Sequence, residues 1–329
     1  MSRVVRFHAT GGPEVLQFEN IEVGEPGKGE LRVRIEAIGL NRAEAMFRCG
    51  TYLEAPKLPS RIGYEASAIV EAVGAGVGGF KAGDEVSVIP AFSMNLYGVY
   101  ADRAIVPAHA VLKRPAGLGA VESAAVWMAY LTAWGALIDI GRLQKGEAVI
   151  IPAASSSVGL AAIQIVNSVG AISIATTRTD AKVAALKQAG AAHVIATAEQ
   201  DLVAEVQRIT SGVGARIVFD PVGGPGVLTL ADAMARNGIL FLYGGLSGQA
   251  TPFPAFPAML KALSVRGYTL FEFNSDPERL ALAQSFITSG LASGALKPII
   301  ARTFKLDDIV AAHRYMESNE QLGKIVVTV

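Results

Sequence analysis

The stretch "VIIPAASSSVGLAAIQIV", residues 149–166, has the strand, turn and helix pattern in which nucleotide-binding enzymes carry a glycine-rich phosphate loop. In the pattern G-x-G-x-x-G the glycines allow a tight turn, close approach of the backbone to a pyrophosphate, and packing of the helix on the strand. Alignment on the last glycine places Ala154, Ser156 and Gly159 at these three positions. Only the third glycine is therefore retained.

The serines of this loop have the chemistry to bind an anion. Serine hydroxyls can cap a helix, and they add donors to the backbone N–H groups that a helix N-terminus directs at an anion. We therefore predict a modified but working dinucleotide loop made of Ser155, Ser156, Ser157, Val158 and Gly159. The alternative is an ordinary strand, a serine cap and a helix that bind no ligand.

The end of the next predicted strand indicates which dinucleotide is bound. Enzymes that use NAD carry an acidic residue here, which binds the ribose 2′-hydroxyl. The sequence "ATTRTDAK" instead places Thr177 and Arg178 at this point, with Lys182 close behind. These side chains can bind a 2′-phosphate by charge-assisted hydrogen bonds, so the sequence predicts NADPH as the cofactor. The alternative is that these residues form a solvated basic turn that binds no phosphate. The nearby acidic residue Asp180 favours this alternative.

The residue types that bind transition metals are few and scattered. The four histidines are His8, His109, His193 and His313, and the only cysteine is Cys49. Zinc requires three or four such ligands that converge on one point. We predict no metal site, histidines in surface or packing roles, and a structural Cys49. A single cysteine also excludes an intrachain disulfide, which fits a reducing compartment.

Length and composition define the kind of chain that must position these residues. The chain has 329 residues, 51% of them hydrophobic and 18% charged, which suits two folded domains. Lys plus Arg and Asp plus Glu both count 29, so no net charge attracts nucleic acid or an acidic membrane. No signal peptide or apolar run of membrane-spanning length is present. These features predict a cytoplasmic protein that binds small, roughly neutral molecules.

The chain shows two patterns of secondary structure. Residues 1–121 consist of short strand patterns separated by turn signals, which predict an irregular β barrel. Residues 122–295 alternate helices with short strands and predict a doubly wound parallel sheet. Its strands are predicted at 148–151, 172–176, 193–196, 216–220, 239–243 and 265–270. Residues 296–329 return to strand, helix and strand, and are predicted to complete the first domain.

Several longer stretches resemble one known family. They are "GPEVLQFENIEVGEPGKGELRVRIEAIGLNRAEAMFRCGTY" (12–52), "LPSRIGYEASAIVEAVG" (58–74), "FKAGDEV" (80–86), "AAVWMAYLTAWGAL" (124–137), "FDPVGG" (219–224) and "LGKIVV" (322–327). Together with the altered loop they resemble the medium-chain dehydrogenase/reductase superfamily, in its zinc-independent quinone oxidoreductase-like branch. The resemblance implies an α/β protein with a GroES-like β-barrel catalytic domain, a Rossmann domain, an active-site cleft at their junction, and a homodimer.

The resemblance also implies the chemistry. Zinc-dependent members would need a cysteine at Asn41 and a histidine at Tyr64, and neither is present. The implied reaction is hydride transfer from NADPH to a quinone or to the β-carbon of an activated alkene. Asn41, Tyr52 and Tyr64 are its implied catalytic residues. Each of the three has an alternative role. Asn41 could be a turn residue, and Tyr64 could be a core aromatic residue. Tyr52 could be an aromatic lid residue, or water could donate the proton in its place.

Further cofactor contacts follow from the same resemblance, at Met128, Thr132, Gly244, Gly245, Phe271 and Lys324. For Met128 and Thr132 the alternative is plain core packing. The stretch "VRGYTLFEF" at 265–273 is a candidate for strand pairing across a dimer. Two other functions remain open: an enoyl-thioester reductase, and a non-catalytic nucleotide-binding protein of the crystallin type.

Overall fold

The computed structural model describes all residues, 1–329, and the chain forms two compact units. Unit 1 comprises Met1–Met128 and Pro298–Val329, and unit 2 comprises Ala129–Lys297. In chain order, the strands are β1 Ser2–Arg6, β2 Gln17–Ile21, β3 Glu30–Gly39, β4 Glu65–Val73, β5 Glu85–Val88, β6 Arg103–Pro107, β7 Val111–Lys113, β8 Ala148–Ile151, β9 Ile172–Thr177, β10 His193–Ala196, β11 Ala215–Asp220, β12 Met234–Leu242, β13 Ser264–Gly267, β14 Ile300–Lys305 and β15 Lys324–Thr328.

The α-helices are α1 Arg42–Arg48, α2 Ala120–Ser123, α3 Trp127–Trp134, α4 Ser157–Ser168, α5 Val183–Gln188, α6 Leu202–Ile209, α7 Gly226–Asp232, α8 Ala255–Lys261, α9 Pro277–Ser293 and α10 Ile309–Ser318. Short 3-10 helices cover Pro13–Val15, Ala108–Ala110, Asp180–Lys182, Leu270–Glu272 and Leu306–Asp308, and a π-helical turn covers Gly135–Ile140. The caps of α9 show why it begins and ends where it does. Asp276 accepts hydrogen bonds from the first backbone N–H groups, and Gly294 ends the helix at φ 77°.

Unit 1 is the predicted barrel. Its main sheet has the strand order β14-β15-β3-β4-β5-β7, with β6 also paired to β3, and β1 and β2 form a hairpin. Alternate residues of β3, namely Leu31, Val33, Ile35 and Ala37, are fully buried, as the period of a strand with one buried face requires. The C-terminal β15 pairs with β3, which confirms that the chain returns to its first domain.

The observed units divide at different places from the boundaries that the sequence suggested. Unit 1 extends to Met128 rather than to residue 121 because α2 packs against β3, β4 and β15. The backbone N–H of Met128 also donates a hydrogen bond to the Glu65 carboxylate, at 3.0 Å. The return into unit 1 begins at Pro298, where the sequence suggested residue 296.

Unit 2 is the predicted doubly wound sheet. Its six parallel strands have the order β10-β9-β8-β11-β12-β13, so the direction of winding reverses between β8 and β11. All four residues of β8 are buried, as expected for a strand covered by helices on both faces. Two predicted strands differ in their bounds by more than one residue. The strand predicted at 239–243 starts earlier, at Met234, and the one at 265–270 ends at Gly267 because Leu270–Glu272 forms a 3-10 turn.

The stretch Ala120–Ile140, which contains α2, α3 and the π-helical turn, has the length and apolar composition of a membrane span. Of its most apolar window, 83% is buried inside the protein. Core helices of folded domains share this property.

Candidate functional site

The predicted phosphate loop joins β8 to α4 and retains the geometry of a glycine loop. The Ser156 hydroxyl caps α4, accepting a hydrogen bond from the backbone N–H of Gly159 at 3.0 Å. A Cβ atom on Gly159 would lie 2.7 Å from Cα of Ala154, so only glycine lets the helix approach the turn this closely. Ala153 adopts φ 48°, the left-handed region, and thus makes the tight turn without a glycine.

Basic residues lie at the end of the neighbouring strand β9. The backbone N–H of Ala154 donates to the carbonyl of Thr176, at 3.4 Å, so the loop contacts this strand end. The Lys182 ammonium donates to the hydroxyl of Ser155 at 3.2 Å. Arg178 is exposed just after β9. The structure therefore brings the loop serine and one basic residue together beside the N-terminus of α4, and no carboxylate follows Thr177 directly.

The stretch "FDPVGG" (219–224) contains the end of β11 and the loop that follows it, on the other side of the strand reversal. The Asp220 side chain is fully buried, and its two oxygens accept hydrogen bonds from backbone N–H groups of this loop, at 2.8 and 3.1 Å. Burial raises the pKa of Asp220.

Two glycines were predicted as cofactor contacts after β12. A Cβ on Gly244 would lie 2.6 Å from the carbonyl oxygen of Pro221, whereas a Cβ on Gly245 would meet nothing within 4 Å. The absence of a side chain therefore has a different effect at each position. At Gly244 it permits close packing of the backbone, and at Gly245 it leaves open space.

The remaining cofactor residues suggested by the resemblance occupy several elements. Thr132 is buried in α3 of unit 2, and Met128 is buried at the end of unit 1. Phe271 lies in the 3-10 turn after β13 and Thr177 ends β9. Their contacts with a cofactor remain predictions.

In unit 1, Asn41 stands at the start of α1 and all of its amide hydrogens are used within the protein. Its Nδ2 donates to the carbonyl of Gly39 at 2.9 Å and to Oε1 of Glu44 at 3.3 Å. Its Oδ1 accepts a hydrogen bond from the Lys324 ammonium at 2.6 Å. These contacts set the orientation of the amide, since an Asn side chain has two N–H donors and both are engaged.

Lys324 forms a buried ion pair with Glu65. The ammonium and the Oε2 atom of Glu65 are 2.6 Å apart, and the side chains are 1% and 0% exposed. The sequence predicted a cofactor contact for Lys324, and its observed partners are Glu65 and Asn41. The ion pair was not predicted, because its two members lie far apart in the chain.

Glu44 connects Asn41 to two buried aromatic residues. Its carboxylate accepts hydrogen bonds from the backbone N–H of Asn41 (2.6 Å), the backbone N–H of Tyr64 (3.0 Å) and the Tyr100 hydroxyl (2.8 Å). Burial raises the pKa of Glu44. Sequence reasoning missed this residue, although the spacing Asn-x-x-Glu before an apolar run is a signature of a helix start.

His313 lies at the other end of the same chain of hydrogen bonds. Its Nε2 is 3.2 Å from the Tyr100 hydroxyl oxygen. Burial lowers the pKa of His313 to about 3, so the ring is neutral at pH 7. Because the Tyr100 proton points to Glu44, Nε2 must carry the hydrogen of the imidazole. His313 thus has a packing role, as predicted for the histidines.

Tyr52 and Tyr64 form a pair with ring centroids 6.3 Å apart. Tyr64 is 1% exposed, and its ring also packs on Phe92. Burial raises the pKa of Tyr52 to about 12, an effect that a hydrogen bond from the Tyr64 hydroxyl partly opposes. The hydroxyl of half-buried Tyr52 is therefore protonated at neutral pH.

No three His, Cys, Asp or Glu side chains lie together in a way that could hold a metal ion. His8 and His109 are exposed on the surface. Cys49 is also exposed, and its thiol donates to the carbonyl of Gly11 at 3.2 Å.

Comparison with known proteins agrees with this architecture. Residues 27–116 match the family model "Alcohol dehydrogenase GroES-like domain", and residues 157–286 match "Zinc-binding dehydrogenase". The chain is 34% identical to quinone oxidoreductase 1 of Escherichia coli over 330 residues, 98% of each chain. It is 30% identical to a 2-haloacrylate reductase of Burkholderia over 330 residues, 97% of each chain.

A crystal structure of the Escherichia coli quinone oxidoreductase in complex with NADPH superposes with a TM-score of 0.91 at 31% identity, and the match covers 100% of both chains. Both the barrel and the doubly wound sheet are thus shared with that enzyme over their full length. This chain belongs to the quinone oxidoreductase branch of the medium-chain dehydrogenase/reductase superfamily.

Proposed function

We propose that this protein is an NADPH-dependent oxidoreductase that reduces quinones or α,β-unsaturated carbonyl compounds without zinc. The contact that carries the proposal is the hydrogen bond between Lys182 and Ser155 beside the N-terminus of α4. It combines a cation, a hydroxyl and a helix N-terminus, which together suit a phosphate group. The quinone oxidoreductase and 2-haloacrylate reductase names of the relatives support the substrate class.

We propose that unit 2 holds the dinucleotide through its loops at the strand ends. Ser155, Ser156, Ser157, Val158 and Gly159 would bind the pyrophosphate through hydroxyl and backbone donors. Thr177, Arg178 and Lys182 would bind the 2′-phosphate. When bound, NADPH supplies the hydride. Thr132, Gly244, Gly245 and Phe271 of unit 2, and Met128 of unit 1, are proposed as further contacts.

In unit 1, we propose that Asn41, Tyr52 and Tyr64 serve the reduction. The reduced substrate carries negative charge on oxygen and needs a nearby donor or proton source. Asn41 has no amide hydrogen left for this purpose, so its role is to hold the Lys324 ammonium. Lys324 uses two of its three N–H donors on Asn41 and Glu65, and the third is proposed to bind the cofactor. Tyr52 is the proposed proton donor.

The function is tested by anaerobic NADPH oxidation against a panel of quinones, enones and enoyl thioesters, with NADH and a chelator in parallel. Turnover that prefers NADPH and survives chelation supports the proposal, and the preferred acceptor identifies the substrate class. NADPH binding without turnover on any acceptor would favour a non-catalytic nucleotide-binding protein. Loss of activity on chelation would contradict the zinc-free reaction.

Replacing Arg178 by serine is expected to weaken NADPH binding by tenfold to hundredfold, on the order expected for a charge-assisted hydrogen bond. The affinity for NADH should be unchanged, because NADH has no 2′-phosphate. Calorimetric titration of both cofactors measures the two effects. Arg208→Ser, which removes an exposed arginine of α6, is the control. Equal affinity of Arg178→Ser and the parent protein for NADPH would show that Arg178 does not contact the phosphate.

Replacing Tyr52 by phenylalanine is expected to lower kcat by about a hundredfold, within the range known for a general acid. Since the pKa of Tyr52 is raised to about 12, the hydroxyl stays protonated throughout the working range, and kcat of the parent protein should show no titration of this group between about pH 6 and 9. Steady-state kinetics across this range measure both effects. Tyr315→Phe on α10 is the control. An unchanged kcat for Tyr52→Phe would show that water, and not Tyr52, donates the proton.

We also propose a cytoplasmic homodimer. β13 is the last strand of its sheet, so its outer edge has no partner strand in the chain. Helix α8, which precedes β13 in the chain and packs on β12, exposes apolar side chains, with Phe256 82%, Met259 70% and Leu260 71% exposed. An unpaired strand edge and exposed apolar side chains are both features that suit a second copy. Sedimentation equilibrium tests this assembly.

A further inference from the structure

Tyr243 directly follows β12 and is held tightly by the neighbouring strand. Its backbone N–H donates to the carbonyl of Asp220 at 3.0 Å. Its ring stacks on that of Phe219, with centroids 4.0 Å apart and planes 19° apart. The side chain is thus positioned at the carboxyl ends of two adjacent parallel strands, where ligands bind in sheets of this kind.

The hydroxyl group of Tyr243 is buried and has no hydrogen-bond partner. Buried polar groups nearly always have one, and a hydroxyl without one lowers the stability of the fold. Phenylalanine would make the same ring stack without this cost. The packing of the chain therefore gives no reason for the hydroxyl.

Asp220 is the titratable group whose charge alters the pKa of this hydroxyl. Both Asp220 oxygens already accept hydrogen bonds from backbone N–H groups. Burial, and then the charge of Asp220, raise the pKa of Tyr243 well above its ordinary value. The hydroxyl thus remains a hydrogen-bond donor at any working pH.

The place of Tyr243 in the sheet indicates which ligand atom it would meet. In a doubly wound sheet each half binds one mononucleotide, and the halves meet where the strand order reverses. Ser155 and Arg178 belong to the half of β8, β9 and β10, and Tyr243 to the half of β11, β12 and β13. Its half would receive the nicotinamide nucleotide if the other half receives the adenosine 2′-phosphate.

We propose that the Tyr243 hydroxyl donates a hydrogen bond to an oxygen of the nicotinamide nucleotide half of NADPH, and so sets the affinity for that half. This inference rests on the proposed function. The hydroxyl is covered by protein, so the contact requires a local shift of backbone. Gly245 and Gly248, whose Cβ positions would meet nothing within 4 Å, give the adjoining segment the conformational freedom for such a shift.

The Tyr243→Phe variant is expected to unfold at a higher temperature than the parent protein in the absence of nucleotide, because it lacks the unpartnered hydroxyl. Its affinity for NADPH should fall about tenfold, on the order of one hydrogen bond. Its affinity for adenosine 2′,5′-bisphosphate, which contains only the other half of the cofactor, should be unchanged. Calorimetric titration and thermal unfolding provide readouts that do not depend on turnover.

Tyr268→Phe is the matched control. Tyr268 follows β13, is 3% exposed, and also has a buried hydroxyl without a partner. That hydroxyl would lie 2.3 Å from a Cβ built on Gly135, so it faces the π-helical turn. Tyr268→Phe should therefore gain stability in the same way and keep its NADPH affinity.

An unchanged NADPH affinity in Tyr243→Phe, with normal binding by the parent protein, would overturn this inference and leave the proposed cofactor intact. Lower stability of Tyr243→Phe would also overturn it, because the hydroxyl would then bond within the fold. A parent protein that binds neither NADPH nor adenosine 2′,5′-bisphosphate would instead refute the proposed function itself.

Discussion

Replacing Gly159 by valine is expected to lower the free energy of unfolding by about 3 kcal/mol and to reduce NADPH binding below detection. A Cβ at this position would lie 2.7 Å from both Cα and the carbonyl oxygen of Ala154. These atoms belong to the backbone and cannot rotate away, so α4 must move from the loop. The same movement displaces the N–H groups and the Ser156 hydroxyl from the positions in which they would face a phosphate.

Gly226→Val is the matched control for this change. Gly226 likewise lies in the first turn of a helix, α7, but no heavy atom lies within 4 Å of its Cβ position. Its substitution should alter stability by less than about 1 kcal/mol and leave NADPH affinity unchanged. Urea unfolding and calorimetric titration measure both variants. If Gly159→Val were as stable as Gly226→Val, the close approach of α4 to the loop would not be required.

Replacing Lys324 by methionine is expected to cost about 3–5 kcal/mol of stability, the range observed when one partner of a buried ion pair is removed. The carboxylate of Glu65 would then be buried without its cation, and Oδ1 of Asn41 would lose its donor. The reductase activity should fall with the stability, because the Asn41 amide is then held from one side only. Urea unfolding together with steady-state kinetics measures the two losses.

The double variant Lys324→Met with Glu65→Gln is expected to recover part of the lost stability, since it removes the uncompensated charge. Lys305→Met serves as the control, because Lys305 lies exposed on the adjacent strand β14. A difference below about 0.5 kcal/mol between Lys324→Met and Lys305→Met would show that the buried pair does not stabilise unit 1.

Several features of the protein depend on residues that are close in the chain, and the sequence predicted them. The doubly wound sheet follows from alternating apolar strands and helices, and the serine cap of α4 follows from a strand, a turn and a helix within one short segment. Each of these signals comes from residues that are close together in the sequence, where local conformational preferences act. The end of the sixth strand was misplaced because the apolar residues after Gly267 suit a strand and a 3-10 turn equally well.

The site of unit 1 depends on contacts that no local pattern contains. Glu65 and Lys324 are 259 residues apart, and Tyr100 and His313 are 213 residues apart. Glu65 and Lys324 meet because β15 and β4 both pair with β3, in registers that place Val326 and Glu65 opposite Gly39. A shift of one residue in the pairing of β15 would turn the Lys324 side chain to the other face of the sheet.

The sequence by itself determined the fold class, the serine-capped turn between β8 and α4, and the basic residues after β9, because each rests on neighbouring residues. Only the tertiary structure decided that both amide hydrogens of Asn41 are engaged, that the Tyr64 ring packs between Tyr52 and Phe92, and that the Tyr243 hydroxyl has no partner. The physical reason is that burial and hydrogen-bond satisfaction are properties of the packed chain. They depend on which distant segments meet, and the local sequence does not contain this information.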